Sequence, residues 1–154
     1  MFKFFMPTYN PTGLDGTVGG AITSTQLSGY IGEILATVSS APSGATTGAY
    51  QYRKIFVKNQ YSTTSMETKI WLDAVEHSEQ IAIGLASGND TTSTPLTEPG
   101  IDSWATPTNW SEGLYVGTLT ANSSTGIWIR QHLSGISVGD PYATFRVYVG
   151  GLIQ

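Results

Sequence analysis

The chain has no cysteine, so neither disulfides nor thiolate metal sites contribute to it, and cysteine usage leaves the redox compartment undetermined. Two histidines among 154 residues cannot make a His-rich zinc site. Charge is equally scarce. Asp, Glu, Lys and Arg make up 12% of the chain, against roughly a quarter in an average globular protein. With seven basic residues, scattered, and a net charge of −4, the clustered Lys and Arg that phosphate backbones require are missing, so nucleic acid is not an expected partner. No segment approaches the ~20 apolar residues of a membrane span. The apolar start, MFKFFM, is too short for a signal-peptide core and is cut off by Pro7. The expectation is a soluble protein without a membrane partner, made in a cytoplasm and exported, if at all, by another route.

Ser, Thr, Gly and Asn fill the place of the missing charges. Such a neutral, hydroxyl-rich surface is common on extracellular and virion β proteins. At 154 residues the chain fits one domain, able to bury about two-thirds of the surface its unfolded form exposes.

The stretch from Tyr50 to Val75 is the organising one. Ile55, Phe56 and Val57 centre one apolar run and Ile70, Trp71 and Leu72 a second, with Gln60 to Ser65 between them, which predicts two adjacent antiparallel strands. In the second run Thr68, Ile70 and Leu72 point one way and Lys69, Trp71 and Asp73 the other, the period of two of a sheet with one face buried. A one-residue slip would bury Lys69 and Asp73. Burial of Ile55, Val57, Ile70 and Leu72 contributes roughly 1.5–3 kcal/mol per side chain before entropy is subtracted.

Residues 1–20 read as an extended N-terminal arm, aromatic at first and then rich in Pro, Gly and Asn, which packs on its own sandwich or on a neighbouring subunit. Residues 21–154 read as a single β-sandwich domain. Ala21 to Leu35, interrupted by Gly29, predicts a strand, a turn and a short strand, with helix as the competing reading for Tyr30 to Ala36. Ser39 to Ala49 is a loop by composition, and Glu76 to Glu79 a polar turn. Gln80 to Ala86 alternates Ile81, Ile83 and Leu85 with small residues that let another segment approach closely. Residues 87–112 form a long loop with Pro95, Pro99, Pro107, Trp104 and Trp110, of a length that usually has a purpose of its own. Strand character resumes at Gly113 to Leu119, Gly126 to Leu133 and Tyr142 to Val149, where Arg146 and Tyr148 face away from Phe145, Val147 and Val149. About eight strands, no convincing helix and regular turn signals predict an all-β fold: an antiparallel β-sandwich, jelly-roll or related Greek-key.

Four pieces carry a likeness: GTVGGAIT at Gly16 to Thr23, TTGAYQYRKIFVKN at Thr46 to Asn59, KIWL at Lys69 to Leu72, and GLYVGTL followed by GIWIRQHL between Gly113 and Leu133. Together they resemble a family of small tailed-bacteriophage virion structural proteins. The resemblance implies a non-enzymatic protein of the virion, made in the host cytoplasm and placed on the capsid surface. Its implied role is a capsid decoration, or cement, protein that binds the assembled major capsid protein lattice as a homotrimer.

No constellation of catalytic residues stands out. Asp73 with Glu76 and Asp102 with Glu112 are close in sequence, but glycosidase acids must converge across a cleft. His77 reads as a solvated turn residue and His132 as a packed strand residue. The Gly-x-Ser-x-Gly elbow is absent, and VGGA at Val18 to Ala21 lacks the strand-to-helix setting of a phosphate loop. Enzyme activity, cofactors and metals are therefore not expected. The candidate partner-binding residues are Phe2, Phe4, Phe5 and Tyr9 of the arm, Arg53, Lys54 and Lys58 of the central strand, which read as a solvated face able to meet acidic capsid surface, and Trp104 and Trp110 of the loop. Trp104, Trp110 and Tyr115 also suggest sugar stacking, and with it two alternatives: a tail adhesin or baseplate accessory recognising host glycan, and a carbohydrate-binding module.

Overall fold

Nine strands in two antiparallel sheets make up the computed structural model, which describes residues 1–9, 16–29, 45–46, 48–74, 81–87, 91–92, 94–101, 103–133 and 145–153. They are β1 (Phe2–Tyr9), β2 (Val18–Gln26), β3 (Tyr50–Asn59), β4 (Ser65–Ala74), β5 (Ile81–Leu85), β6 (Thr91–Thr92), β7 (Leu114–Leu119), β8 (Ser124–His132) and β9 (Phe145–Ile153). The six-stranded sheet runs β5-β8-β3-β1-β2-β6 and the three-stranded sheet β7-β4-β9. The all-β sandwich is as the sequence predicts; β1, read as an arm, and the two-residue β6 are strands beyond those expected, while the short strand expected after Gly29 lies outside the described residues. Only β1 and β2 are neighbours both in sequence and in a sheet, so the connectivity is that of distant segments brought together, as in Greek keys, and not of a meander.

The core fills the space between the sheets. Ile55 and Val57 of β3, Ile81 and Ile83 of β5, and Ile127 and Ile129 of β8 meet Ile70 and Leu72 of β4 and Leu119 of β7. The alternation in β4 holds: Thr68, Ile70 and Leu72 are buried, Lys69 and Trp71 are half-buried and Asp73 is exposed.

One expectation is corrected here. β3 and β4 are not sheet neighbours, since β3 lies between β1 and β8, and β4 lies between β7 and β9. Residues 60–64 therefore cross from one sheet to the other. Asn59 secures that crossing. Its side-chain amide donates to the carbonyls of Thr63 (2.9 Å), Leu119 (2.9 Å) and Thr120 (3.3 Å), and its oxygen accepts from the Tyr61 N–H (2.9 Å), so a fully buried amide is satisfied at both ends. Of the two placements expected for the arm, Phe2–Tyr9 takes the first and packs on its own sandwich, as an interior strand paired with β3 through Phe2 to Phe5 and with β2 through Phe5, Pro7 and Tyr9. Pro7 fits there because the β1 pairing is irregular on either side of it.

The alternatives for Tyr30 to Ala36, most of the loop at 39–49, and the turn at Glu76 to Glu79 lie outside the described residues. In the long loop, the described residues form a strap across the outer face of the large sheet. Pro95 O accepts from Tyr52 N (2.7 Å), Ala105 exchanges backbone hydrogen bonds with Ile83 at the β5 edge (2.8 and 2.9 Å), and Pro107 O accepts from Leu72 N (2.8 Å) in the small sheet. The small residues of β5 admit it, as their pattern predicts: a methyl group on Gly84 would collide with the Ile101 side chain.

Candidate functional site

The strap separates its two tryptophans. Trp104 lies on the outer face of the large sheet with Ile101, against Tyr52, Val18 and the fully buried Trp128. Its ring is 5.6 Å from that of Tyr52, and its Nε1–H donates to Glu98 Oε1 (3.1 Å). The Arg130 guanidinium lies between Trp104 (4.8 Å) and Tyr50 (4.6 Å), and His132 packs on Tyr50 (5.0 Å). Burial, and after it the nearby Glu98 carboxylate, raise the Tyr52 phenol above its ordinary range. The chain itself closes this face.

Trp110 sits on the opposite side of the molecule, on the outer face of the small sheet. It meets Trp71 edge-on at 5.7 Å and 89°, and Trp71 stacks on Tyr148, its partner on β9, at 5.7 Å and 12°. Lys69 holds Trp110 from beneath, with Nζ 5.3 Å from the ring centroid and 3.4 Å from the Trp110 carbonyl. Gly150 makes the seat: a Cβ there would lie 3.0 Å from Trp110 Cζ3 and 3.2 Å from Trp71 Cη2. The turn carrying Trp110 is self-bonded, with Thr108 N and Oγ1 donating to Glu112 Oε2 (3.4 and 3.2 Å) and Glu112 N donating to Asn109 Oδ1 (3.2 Å). The Thr108 backbone hydrogen bond first, then the side chains of Asn109 and Thr108, hold the Glu112 carboxyl below its ordinary value of 4.5. Around this cluster Tyr115 and Leu152 are each 57% exposed, Tyr148 38% and Trp110 37%. Arg146 and Asp73, both exposed, pair at 3.9 Å at one end. The result is a pre-set aromatic surface open to solvent, with Lys69 below Trp110 and an ion pair at its rim.

The other expected contact residues lie away from this surface. Phe2 and Phe4 pack on the core between the sheets, Phe5 is buried on the opposite face, with the Lys58 ammonium 5.9 Å from its ring, and Tyr9 is exposed at the end of β1. Arg53 and Lys54 correct the reading of a solvated basic face, being 0% and 3% exposed. β3 is buried on both faces, so its alternation sends Lys54 to the strap side, where Nζ donates to Gly20 O (3.1 Å) and lies 5.0 Å from the Phe56 ring, and Arg53 to the interior. Desolvation lowers the Arg53 pKa to about 10, and its Nη1 donates to Tyr52 O (2.9 Å). Neither side chain is presented to a partner surface.

Of the nine expected contact residues, the open surface therefore includes only Trp110; it adds Trp71, Tyr148, Tyr115 and Leu152. Alternation alone marks Trp71 and Tyr148 as outward-facing. What joins them is the β4–β9 pairing, which local pattern does not carry. Among the described residues no three His, Asp or Glu side chains gather as metal ligands. Glu98, Glu112 and Asp73 are each engaged with a named neighbour, while Glu76, His77 and Asp102 lie outside the described residues. No protein-family model matches the chain, and no curated protein sequence does.

Proposed function

We propose that the protein is a non-enzymatic attachment protein of a bacteriophage particle, a decoration of the assembled head that grips the capsid lattice through the outer face of its three-stranded sheet. The observation that carries the attachment reading is the cluster of exposed Trp110, Tyr148 and Tyr115 around the half-buried Trp71, on an otherwise hydroxyl-rich, weakly charged surface. Tyr and Trp dominate interface hot spots, and rings held in place before binding lose little entropy on contact. The phage assignment is supported by the four stretches that resemble small virion proteins. A cement protein acts by mass action: it binds the assembled lattice and not free subunits, so its binding free energy adds to the stability of the shell. Gold-labelled antibody on intact particles tests the location. Label over the head is expected, and particles without label contradict the proposal.

A second reading is favoured by the exposed Tyr148 ring beside the Asp73–Arg146 pair. A sugar ring stacks on such a face while its hydroxyls bond the charged rim, which would make the protein a tail component recognising host glycan. Label at the tail tip, with glycan binding abolished by Tyr148→Ala, would favour it over the head.

A further inference from the structure

Strands β5, β6, β7 and β9 form the four edges of the two sheets. Natural proteins blunt such edges, because an unpaired strand is a template for another chain. Three are blunted here. Ala105 pairs with β5 at Ile83. β6 has two residues. β7 is six residues long and is bent by Gly117 at φ +92°. β9 differs: it runs for nine residues without proline, Arg146 is its one charged residue, and among the described residues nothing pairs with its outer edge.

We infer that the β9 edge is a self-association site, where a second copy of this chain pairs antiparallel about a two-fold axis through Val149 and joins the two small sheets into one. Antiparallel partners share a face, so outward-facing residues must oppose outward-facing residues. The axis at Val149 satisfies this and pairs the strand over its full length. Tyr148 then faces Gly150 of the second copy, where there is no side chain and where the Trp110 ring lies over the backbone, so ring meets ring across the joint. Arg146 faces Leu152 of the second copy, laying its aliphatic stem on a side chain that is 57% exposed in the single chain. Val147 faces Gly151 and Val149 faces itself. No like charges are opposed. The joint sheet sets two aromatic clusters side by side on one face, and two contacts on one rigid body bind a repeating lattice far more tightly than one. Such a contact is isologous and closes at two copies, in contrast to the trimer implied by the family resemblance.

Sedimentation equilibrium of the full chain at micromolar concentration tests the inference directly, with twice the 16.4 kDa chain mass expected. The absence of native cysteine supplies a second test. Opposed Cα atoms in an antiparallel pair lie ~4.5–5.5 Å apart, within the ~4.4–6.8 Å span of a disulfide. Val149→Cys should therefore oxidise to a covalent dimer, whereas Val116→Cys, on β7 and similarly half-buried, stays a thiol. Tyr148→Lys, which guards the edge with a charge, should shift the unmodified dimer to monomer with an unchanged circular-dichroism spectrum. A monomer or trimer mass, or equal cross-linking of the two cysteine variants, overturns the inference.

Discussion

The outer faces of the two sheets have similar materials and opposite fates. Each has a tryptophan on a strand, Trp128 or Trp71, and each receives one more from the same loop, Trp104 or Trp110. On the large sheet the strap is hydrogen-bonded to β3 and β5, and Trp128 is 0% exposed beneath it. On the small sheet, among the described residues, only the turn with Trp110 lies on top, and Tyr115, Tyr148 and Leu152 are exposed. An aromatic residue therefore serves as core or as contact surface according to whether the chain has enough length left to cover it. Here the loop spends its length on the large sheet.

That contrast is breakable by substitution. Trp128→Ala should cost about 3–5 kcal/mol, the usual range for emptying a fully buried aromatic site, measured by denaturant unfolding. Asn59→Ala should cost about 1–3 kcal/mol, because the N–H and the carbonyls it serves at the sheet crossing are left without their partner. Trp110→Ala should cost less, about 1–2 kcal/mol, since its ring is only partly buried, yet it should abolish particle binding in co-sedimentation while Trp104→Ala loses stability first. If Trp110→Ala unfolds the protein as Trp128→Ala does, the two faces are not different in kind. The smallest expected effect is one of pH. The Glu112 carboxyl is held below its ordinary value of 4.5, so its contribution is present above that value and is lost as pH falls through the lowered one. Trp110 fluorescence should stay constant down to about pH 4.5 and change below it, and Glu112→Gln should remove the change.

Much of the architecture is legible in the residues. The alternation of Ile70 and Leu72 against Lys69 and Trp71 gives the buried face of β4, and the small residues opposite Ile81 and Ile83 announce the close approach of Ile101. Period two identifies a face, however, and never a neighbour. Gln60 to Ser65 is as suitable for a hairpin as for a crossing between sheets, and the choice is made by Asn59 reaching Leu119 and Thr120. The same limit hides the arm. Phe2 to Phe5 resemble exposed aromatics until β3 supplies their partner strand. Arg53 and Lys54 mislead for a different reason. A charged residue on a strand normally marks the wet face, but β3 has no wet face, because β4 and its sheet cover one side and the strap the other. Trp104 and Trp110, six positions apart in sequence, end on opposite sides because the strap turns around the β5 edge between them.

The central claim is that the small-sheet aromatic face is the working surface, and oxidative footprinting of the four tryptophans, quantified by mass spectrometry with and without bound particles, tests it most directly. In the free protein Trp110 should oxidise fastest and Trp128 slowest, and on the particle Trp110 and Trp71 should become protected while Trp104 is unchanged. Protection of Trp104 with Trp110 left as reactive as in the free protein would contradict the account.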